Sequence, residues 1–528
     1  VKMQFAKHFG ITAMALVLLL ALNSGGMAEE PQYGGTFHWA MIRDVGSVDP
    51  ADAHATFRIN VVNMMFNGLV EFDEDAEVVP DLAHSWDVSE DGMVYTFHLE
   101  EDVYFHSGRQ MTAEDVKYSF ERLSHPDTAA LGYWLLDSVK GKPEFADGEA
   151  DEIEGIRVID DHTVEIELEV GDGGFLRKLG TAYASIVCHE GIADDMDLIE
   201  PIGTGPFQYV EYEPNEHVKL ERFDNYWEEG LPYLDAVQID MLVDDSVQMM
   251  RFQVGDQDLM DVNDPMIWHT LNADPEFAEL LHQQQGASVQ VLTLNYQKEP
   301  MDDKRVRQAI LYGIDRERIT EDVIGGLGEP AYTPLPPAIS DMLDIDDAYG
   351  YDPEKAMELL EEAGYEDGFT VEAPTVPTVW QRLTLEGVQA DLDRIGIEVE
   401  VQVMEPAAYT EMMNAGEAVM GNMNVGSQMA DPDEVFFEFL HSDRTPGLNR
   451  AAYTNPEFDE LIEEARETVD EDKWLELYQE AAEIIIEDAP WAFVHYPYVN
   501  RAIAEDLHGI RQFPTRPDLC IKEAWFAR

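Results

Sequence analysis

The chain has 528 residues, 45% of them hydrophobic and 10% aromatic, which is enough for two or three sizeable cores and unlike a disordered acidic tail. Against 33 basic residues stand 108 acidic ones, a formal net charge of −75 spread along the whole length. Nucleic acid and anionic membranes would repel most of such a surface and are excluded as partners; the acidity is either an ordinary solvated surface or an adaptation to high salt, a halophilic protein.

In chain order, Lys2 to Lys7 form a basic segment, Phe9 to Leu22 an apolar one, and Gly26-Met27-Ala28 a small-x-small site before Glu29, so residues 1–28 are expected to be a secretory signal peptide. The apolar run is shorter than a membrane span needs, and none follows, which predicts an exported, soluble mature protein. At Asp91-Gly92 a hairpin reverses into Val94–Leu99, where Tyr95, Phe97 and Leu99 alternate with Val94, Thr96 and His98 as in a half-buried strand. Thr112 and Asp115 predict a capping arrangement ahead of Val116, Phe120 and Leu123.

Gly203-Thr204-Gly205 lacks the Gly-Lys-Ser/Thr ending of a phosphate loop and runs straight into Pro206, which has no amide donor. It is expected to be a structural turn entering a strand at Phe207. Strands are predicted at Thr163–Leu168, Phe207–Tyr212, His217–Phe223, Val237–Leu242 and Val289–Leu294. Asp352, Pro353 and Gly364 punctuate a helix carrying Ala356, Leu359 and Leu360. A second helix runs from about Val379 to Ile395, stops at Gly396, and gives way to a strand at Ile397–Val403. Near the C-terminus Phe458, Leu461, Ile462 and Ala465 form one helical stripe, and Trp474, Leu477, Tyr478, Ala481 and Ile485 another. Strands and helices mixed without a repeat argue for α/β lobes.

Catalytic signatures are missing. Fifteen histidines include no His-Glu-x-x-His pair and no Cys/His zinc spacing, and no Gly-x-Ser-x-Gly elbow is present. No catalytic residue, metal ligand or cofactor is therefore assigned. Met412, Met413, Met420, Met423 and Met429 suit adaptable packing or a pliable pocket, with soft-metal binding as the chemical alternative.

Several stretches carry a resemblance. Pro201-Ile202-Gly203-Thr204-Gly205-Pro206-Phe207 is followed by Asn225-Tyr226-Trp227. Ala83–Gly92 leads into Tyr95–Leu99, and Asp302–Ile310, Tyr351–Ala356 and Asp431-Pro432-Asp433 follow in order. From about Tyr33 onward the sequence resembles the extracellular solute-binding proteins of family 5, the periplasmic dipeptide-, oligopeptide- and nickel-binding proteins of ABC transporters. Glu100-Glu101-Asp102 stands where the family often has a basic residue, in keeping with the general acidity.

The resemblance implies a periplasmic binding protein-like type II fold (cluster C), two lobes with a hinge plus an appended third domain. Residues 29–66, 203–286 and 499–528 would form lobe I, 67–202 the appended domain II and 287–498 lobe III, with crossings near 286 and 499 as the hinge. It implies a receptor, not an enzyme. A peptide or other small organic solute would bind between the lobes and be delivered to an inner-membrane ABC permease by a monomer free in the periplasm. No cysteine lies at the cleavage site to carry a lipid; Cys188 and Cys520 either pair or remain buried thiols. A non-peptide solute or a nickel chelate is the alternative ligand, and a periplasmic hydrolase, a chaperone or a chemoreceptor partner is the alternative role.

In peptide-binding relatives an aspartate three residues before the Asp-Pro pair holds the ligand's ammonium; here that position is Gln428, which forfeits a charge-assisted bond. The arginine that pairs with the carboxylate in dipeptide binders is replaced by Thr375-Val376-Pro377-Thr378, with Arg382 the guanidinium close by. The expected contacts are Gln428, Ser427, Gly426, Asn424, Asn422, Trp380, Arg382, Tyr496 and Tyr498.

Overall fold

A computed structural model describes residues 30–528 apart from 341, 344, 516 and 517. The expected signal peptide lies outside the described residues. Ten strands, numbered β1 to β10 in chain order, build the central sheet: Thr36–Ala40, Phe207–Glu213, His217–Arg222, Ala236–Asp240, Leu259–Asp261, Leu281–Gln285, Ser288–Leu294, Gly328–Pro330, Met420–Gly426 and Trp491–Ile503. Their order is β9-β7-β10-β5-β1-β4-β3-β2, with β6 and β8 also pairing β10.

Strand β10 organises this arrangement. Its first half pairs β7, with Val291 opposite Phe493 and Thr293 opposite Trp491; its second half pairs β5 and β6, with Asp261 opposite Arg501 and Gln285 opposite Tyr498. Residues 491–496 and 500–503 are buried, whereas Pro497, Tyr498 and Val499 are half-buried. Apolar packing therefore covers both halves of the strand and thins at its middle. Beside that middle runs the connection from β6 to β7, where a Cβ on Gly286 would stand 3.2 Å from the Pro497 carbonyl oxygen, tighter than side chains normally pack.

Hydrophobic packing is divided in the same way. The largest core joins Val289, Ile310, Leu385, Phe436, Tyr478 and Trp491. A second gathers Phe97, Phe105, Phe120, Leu136, Ile166 and Phe175. A third holds Phe37, Ile59, Phe66, Phe207, Val237 and Phe526. The second core lies on a four-stranded antiparallel sheet ordered Ala83–Val88, Val94–Leu99, Thr163–Glu167, Ile156–Asp160. Within it Tyr95, Phe97 and Leu99 face the core and Gly92 adopts φ +71° at the turn, as the alternation and the Asp-Gly pair predict.

Local punctuation follows sequence chemistry. Thr112 and Asp115 form a reciprocal capping box on the helix Ala113–Ser124. The Asp352 side chain accepts from the Lys355 amide at the start of Pro353–Glu362. Helix Val379–Leu392 continues as a 3₁₀ turn to Ile395 and ends at Gly396, φ +89°. The Gly203-Thr204-Gly205 segment is a structural junction: a Cβ on Gly203 would sit 2.0 Å from the Met65 carbonyl oxygen, so these glycines admit close backbone approach. In the Asp302–Ile310 stretch, Asp303 caps the helix Lys304–Gly313, and the buried Arg307 donates to the carbonyls of Met301 and Asp488. Cys188 is buried and Cys520 half-buried, and both are free thiols.

Candidate ligand cleft

Strands β1 and β4 run parallel, Ala40 opposite Asp240. Beyond their carboxyl ends the two chains stay in step, the Met41 amide donating to the Asp240 carbonyl (2.8 Å) and the Val243 amide to the Met41 carbonyl (2.9 Å). Ligands of α/β sheets bind at such carboxyl edges, where side chains leave the ladder and backbone groups are free to point outward. Here the edge opens into a cavity of about 650 Å³, a size within the usual range for small-molecule sites.

Trp39, Arg43, Asp245 and Asp261 line one wall, Pro377 to Gln381, Asn424 and His495 the other, and Tyr498 to Arg501 of β10 the floor. Trp380 packs edge-on against His495, ring centroids 6.0 Å apart. The His495 Nε2 meets Thr384 Oγ1 at 3.1 Å, while its Nδ1 is buried with no hydrogen-bond partner among the described residues. Burial pushes the imidazole down to about 3, so this ring is neutral at neutral pH. Asp261 accepts from Trp39 Nε1 (3.2 Å) and Arg501 Nε (3.0 Å), and Arg501 also binds Asp518 Oδ1 at 2.7 Å. Asp245, at the first turn of helix Asp245–Gln253, is raised to about 6, first by burial and then by Asp244, Asp264 and Asp261.

Of the nine residues expected from sequence, Trp380, Asn424 and Tyr498 line this cavity. The other six do not. Asn422 is buried, donating to the Gln381 carbonyl (2.8 Å) and Thr375 Oγ1 (3.0 Å) while accepting from Gln290, so it fixes the Thr375–Gln381 loop. Arg382 pairs one turn on with Glu386 at 2.5 Å. Tyr496 shares its hydroxyl with the Thr333 amide, side chain and carbonyl.

Gly426 ends β9 opposite Ser288. Ser427 Oγ and the amides of Gln428 and Met429 all donate to Glu434 Oε2, at 2.7, 2.7 and 3.2 Å. The same loop is held against the second core, Arg177 donating to the Met429 carbonyl at 3.0 Å. Gln428 is 8% exposed, and its Oε1 has no hydrogen-bond partner among the described residues. The resemblance did not point to Arg43, Asp245 or His495; parallel pairing of β1 with β4 is the signal that locates the first two. Among the described residues no group of three His, Cys, Asp or Glu is placed to hold a metal ion, and no helix is long and apolar enough to cross a membrane.

Comparison with known proteins accounts for this architecture. The mixed α/β fold with its cleft is that of two-lobed type II solute-binding proteins. A periplasmic binding protein of an ABC transporter from Helicobacter pylori, in complex with the peptide STSA, superposes with a TM-score of 0.78 at 28% identity over 94% of this chain and 99% of that one. The oligopeptide-binding protein of Bacillus subtilis in complex with a nonapeptide gives 0.79 at 26% identity over 94% and 100%. In sequence, the heme-binding protein A of Haemophilus influenzae is 31% identical over 474 residues, 85% of each chain. The dipeptide-binding protein of Escherichia coli is 31% identical over 470, covering 84% of this chain and 86% of its own. The chain belongs to the bacterial extracellular solute-binding proteins of family 5, whose model matches residues 77–447.

Proposed function

We propose that this protein is the periplasmic receptor of an ABC importer, capturing a peptide or a related small solute in the cleft and presenting it to an inner-membrane permease without chemical change. The observation that carries the reading is the cavity at the carboxyl edge of β1 and β4, floored by the one strand that both halves of the sheet share. Residues 29–66, 203–286 and 499–528 act as lobe I, 67–202 as the appended domain and 287–498 as lobe III. The half-buried Pro497–Val499 and the adjoining Gly286 are the hinge, since bending costs least where little apolar surface is packed. Ligand bridging the walls favours the closed state by its greater affinity for that state.

Trp380, Asn424 and Tyr498 contact the ligand; Gln428 acts only once its loop is approached on closure. The receptor works as a monomer after export by the residue 1–28 signal peptide, and binds no nucleic acid. A second reading, a heme or chelated-metal ligand, draws on the name of the Haemophilus relative and on the partnerless His495 Nδ1 in the wall. Native mass spectrometry of protein purified gently from its host in high salt separates the two. A mixed set of short peptides supports the first, whereas one chelate supports the second. Turnover of a candidate peptide would overturn the receptor role altogether.

A further inference from the structure

The charges around the cleft divide into those already spent and those still available. Arg501, 1% exposed, directs its guanidinium to Asp261, Asp518 and Gln512. Asp518 additionally receives Asn60 Nδ2 at 2.8 Å, and His54 is engaged with the Asp52 carbonyl at 2.9 Å. Two charged side chains lining the cavity have no ion pair or hydrogen bond to another side chain among the described residues: Arg43, three residues beyond the end of β1, and Asp245, five beyond the end of β4. They are of opposite sign and on the same wall, and their chain segments are tied together by the Met41–Val243 backbone bond. Nevertheless they do not pair with each other. On the facing wall, Pro377 to Gln381 and Asn424 carry no charge, and the partnerless His495 Nδ1 is neutral.

We propose that Arg43 and Asp245 form the charge pair that selects a zwitterionic ligand, its carboxylate held by the guanidinium and its ammonium by the Asp245 carboxylate. The proposal rests on the cleft being the ligand site. A carboxylate half-removed from water beside Asp244, Asp264 and Asp261 gains more from a ligand cation than an exposed one does, because its own environment supplies none. A guanidinium offers the planar fork that matches a carboxylate. The floor beside them supplies, at Tyr498 and Val499, the half-buried surface for the ligand's body.

The test uses the full chain and its Arg43→Gln and Asp245→Asn variants, titrated by calorimetry in molar salt with trialanine, N-acetyl-trialanine and trialanine amide. Blocking either terminus should weaken binding to the parent protein by about tenfold or more, the loss of one charge-assisted bond. Acetylation should then cost nothing further in Asp245→Asn, and amidation nothing further in Arg43→Gln. If acetylation weakens Asp245→Asn as much as the parent, the ammonium is held elsewhere and the assignment is overturned. Native mass spectrometry of the same three proteins purified from the host covers the case in which trialanine does not bind. A non-peptide zwitterion lost from both variants sustains the pair and ends the peptide reading. Peptides retained equally by all three proteins sustain the peptide reading and end the pair.

Discussion

At the scale of single residues, Asp245 ties recognition to pH. Its carboxyl titrates near 6 in the free protein, raised by burial and by Asp244, Asp264 and Asp261. The carboxylate is the form that attracts a cation. Above pH 6 the charge is in place and affinity for an ammonium-bearing peptide should be level. As pH falls through 6, protonation must be reversed before binding, and affinity should drop by up to about tenfold per unit. The other titratable groups facing the cleft are Arg43, His54, the Arg501-bound Asp261 and Asp518, and His495, which is neutral down to about pH 3. Calorimetry with trialanine from pH 7.5 to 5 should show the fall in the parent chain and a flat profile in Asp245→Asn.

Glu434 illustrates a carboxylate used for construction instead. One oxygen accepts three donors from the 427–429 loop. Glu434→Ala should strand buried N–H and O–H groups and cost roughly 2–3 kcal/mol, read as a shift in the urea midpoint at unchanged slope. A midpoint unmoved by more than about 0.5 kcal/mol equivalent would mean that water replaces the carboxylate.

At the scale of elements, punctuation and alternation were legible because local chemistry decides them. The Thr112–Asp115 box, the Asp352 cap, the stop at Gly396 and the Val94–Leu99 alternation each depend on residues within a few positions of one another. Strand β10 was not foreseen. Its run from Trp491 to Ile503 is buried on both sides of the crossing and so lacks alternation, and Pro497, which cannot donate to a ladder, argues locally against a strand. The proline is tolerated because it falls where the strand passes from one set of partners to the other.

The candidate contacts were legible only in part for a related reason. The resemblance pointed to the 422–428 segment, but which side chains face the cleft depends on partners distant in sequence, such as Thr333 for Tyr496 and Arg177 for the loop beside Gln428. Gly203 offers a test of an element junction. Gly203→Ala places a methyl 2.0 Å from the Met65 carbonyl oxygen, and the backbone there cannot yield cheaply, so stability should fall by about 1–3 kcal/mol. Gly350→Ala, which meets nothing within 4 Å, is the matched control and should stay within about 0.5 kcal/mol.

At the scale of the whole molecule, charge sets the conditions under which the lobes hold together. A compact chain of 528 residues has a radius of gyration of roughly 24 Å. The Debye length is about 3 Å at 1 M salt and about 30 Å at 0.01 M. In molar salt each carboxylate is therefore screened from all but its neighbours, whereas in dilute buffer the net charge of −75 repels itself across the entire particle. Buried pairs such as Lys178–Asp172, 2.7 Å apart with side chains 7% and 5% exposed, feel little of this change, because ions cannot enter between them. The response should thus begin where the surface is acidic and packing is thinnest, at the Pro497–Val499 crossing, and separate the lobes before it melts their cores. Small-angle scattering on dilution from about 2 M to about 0.01 M sodium chloride should show the radius of gyration rising, while far-ultraviolet circular dichroism lags behind it. Sodium sulfate at equal ionic strength should preserve the compact form at least as well as chloride. A radius unchanged over the full range would show that the acidity is ordinary surface solvation, with no bearing on how the lobes are held.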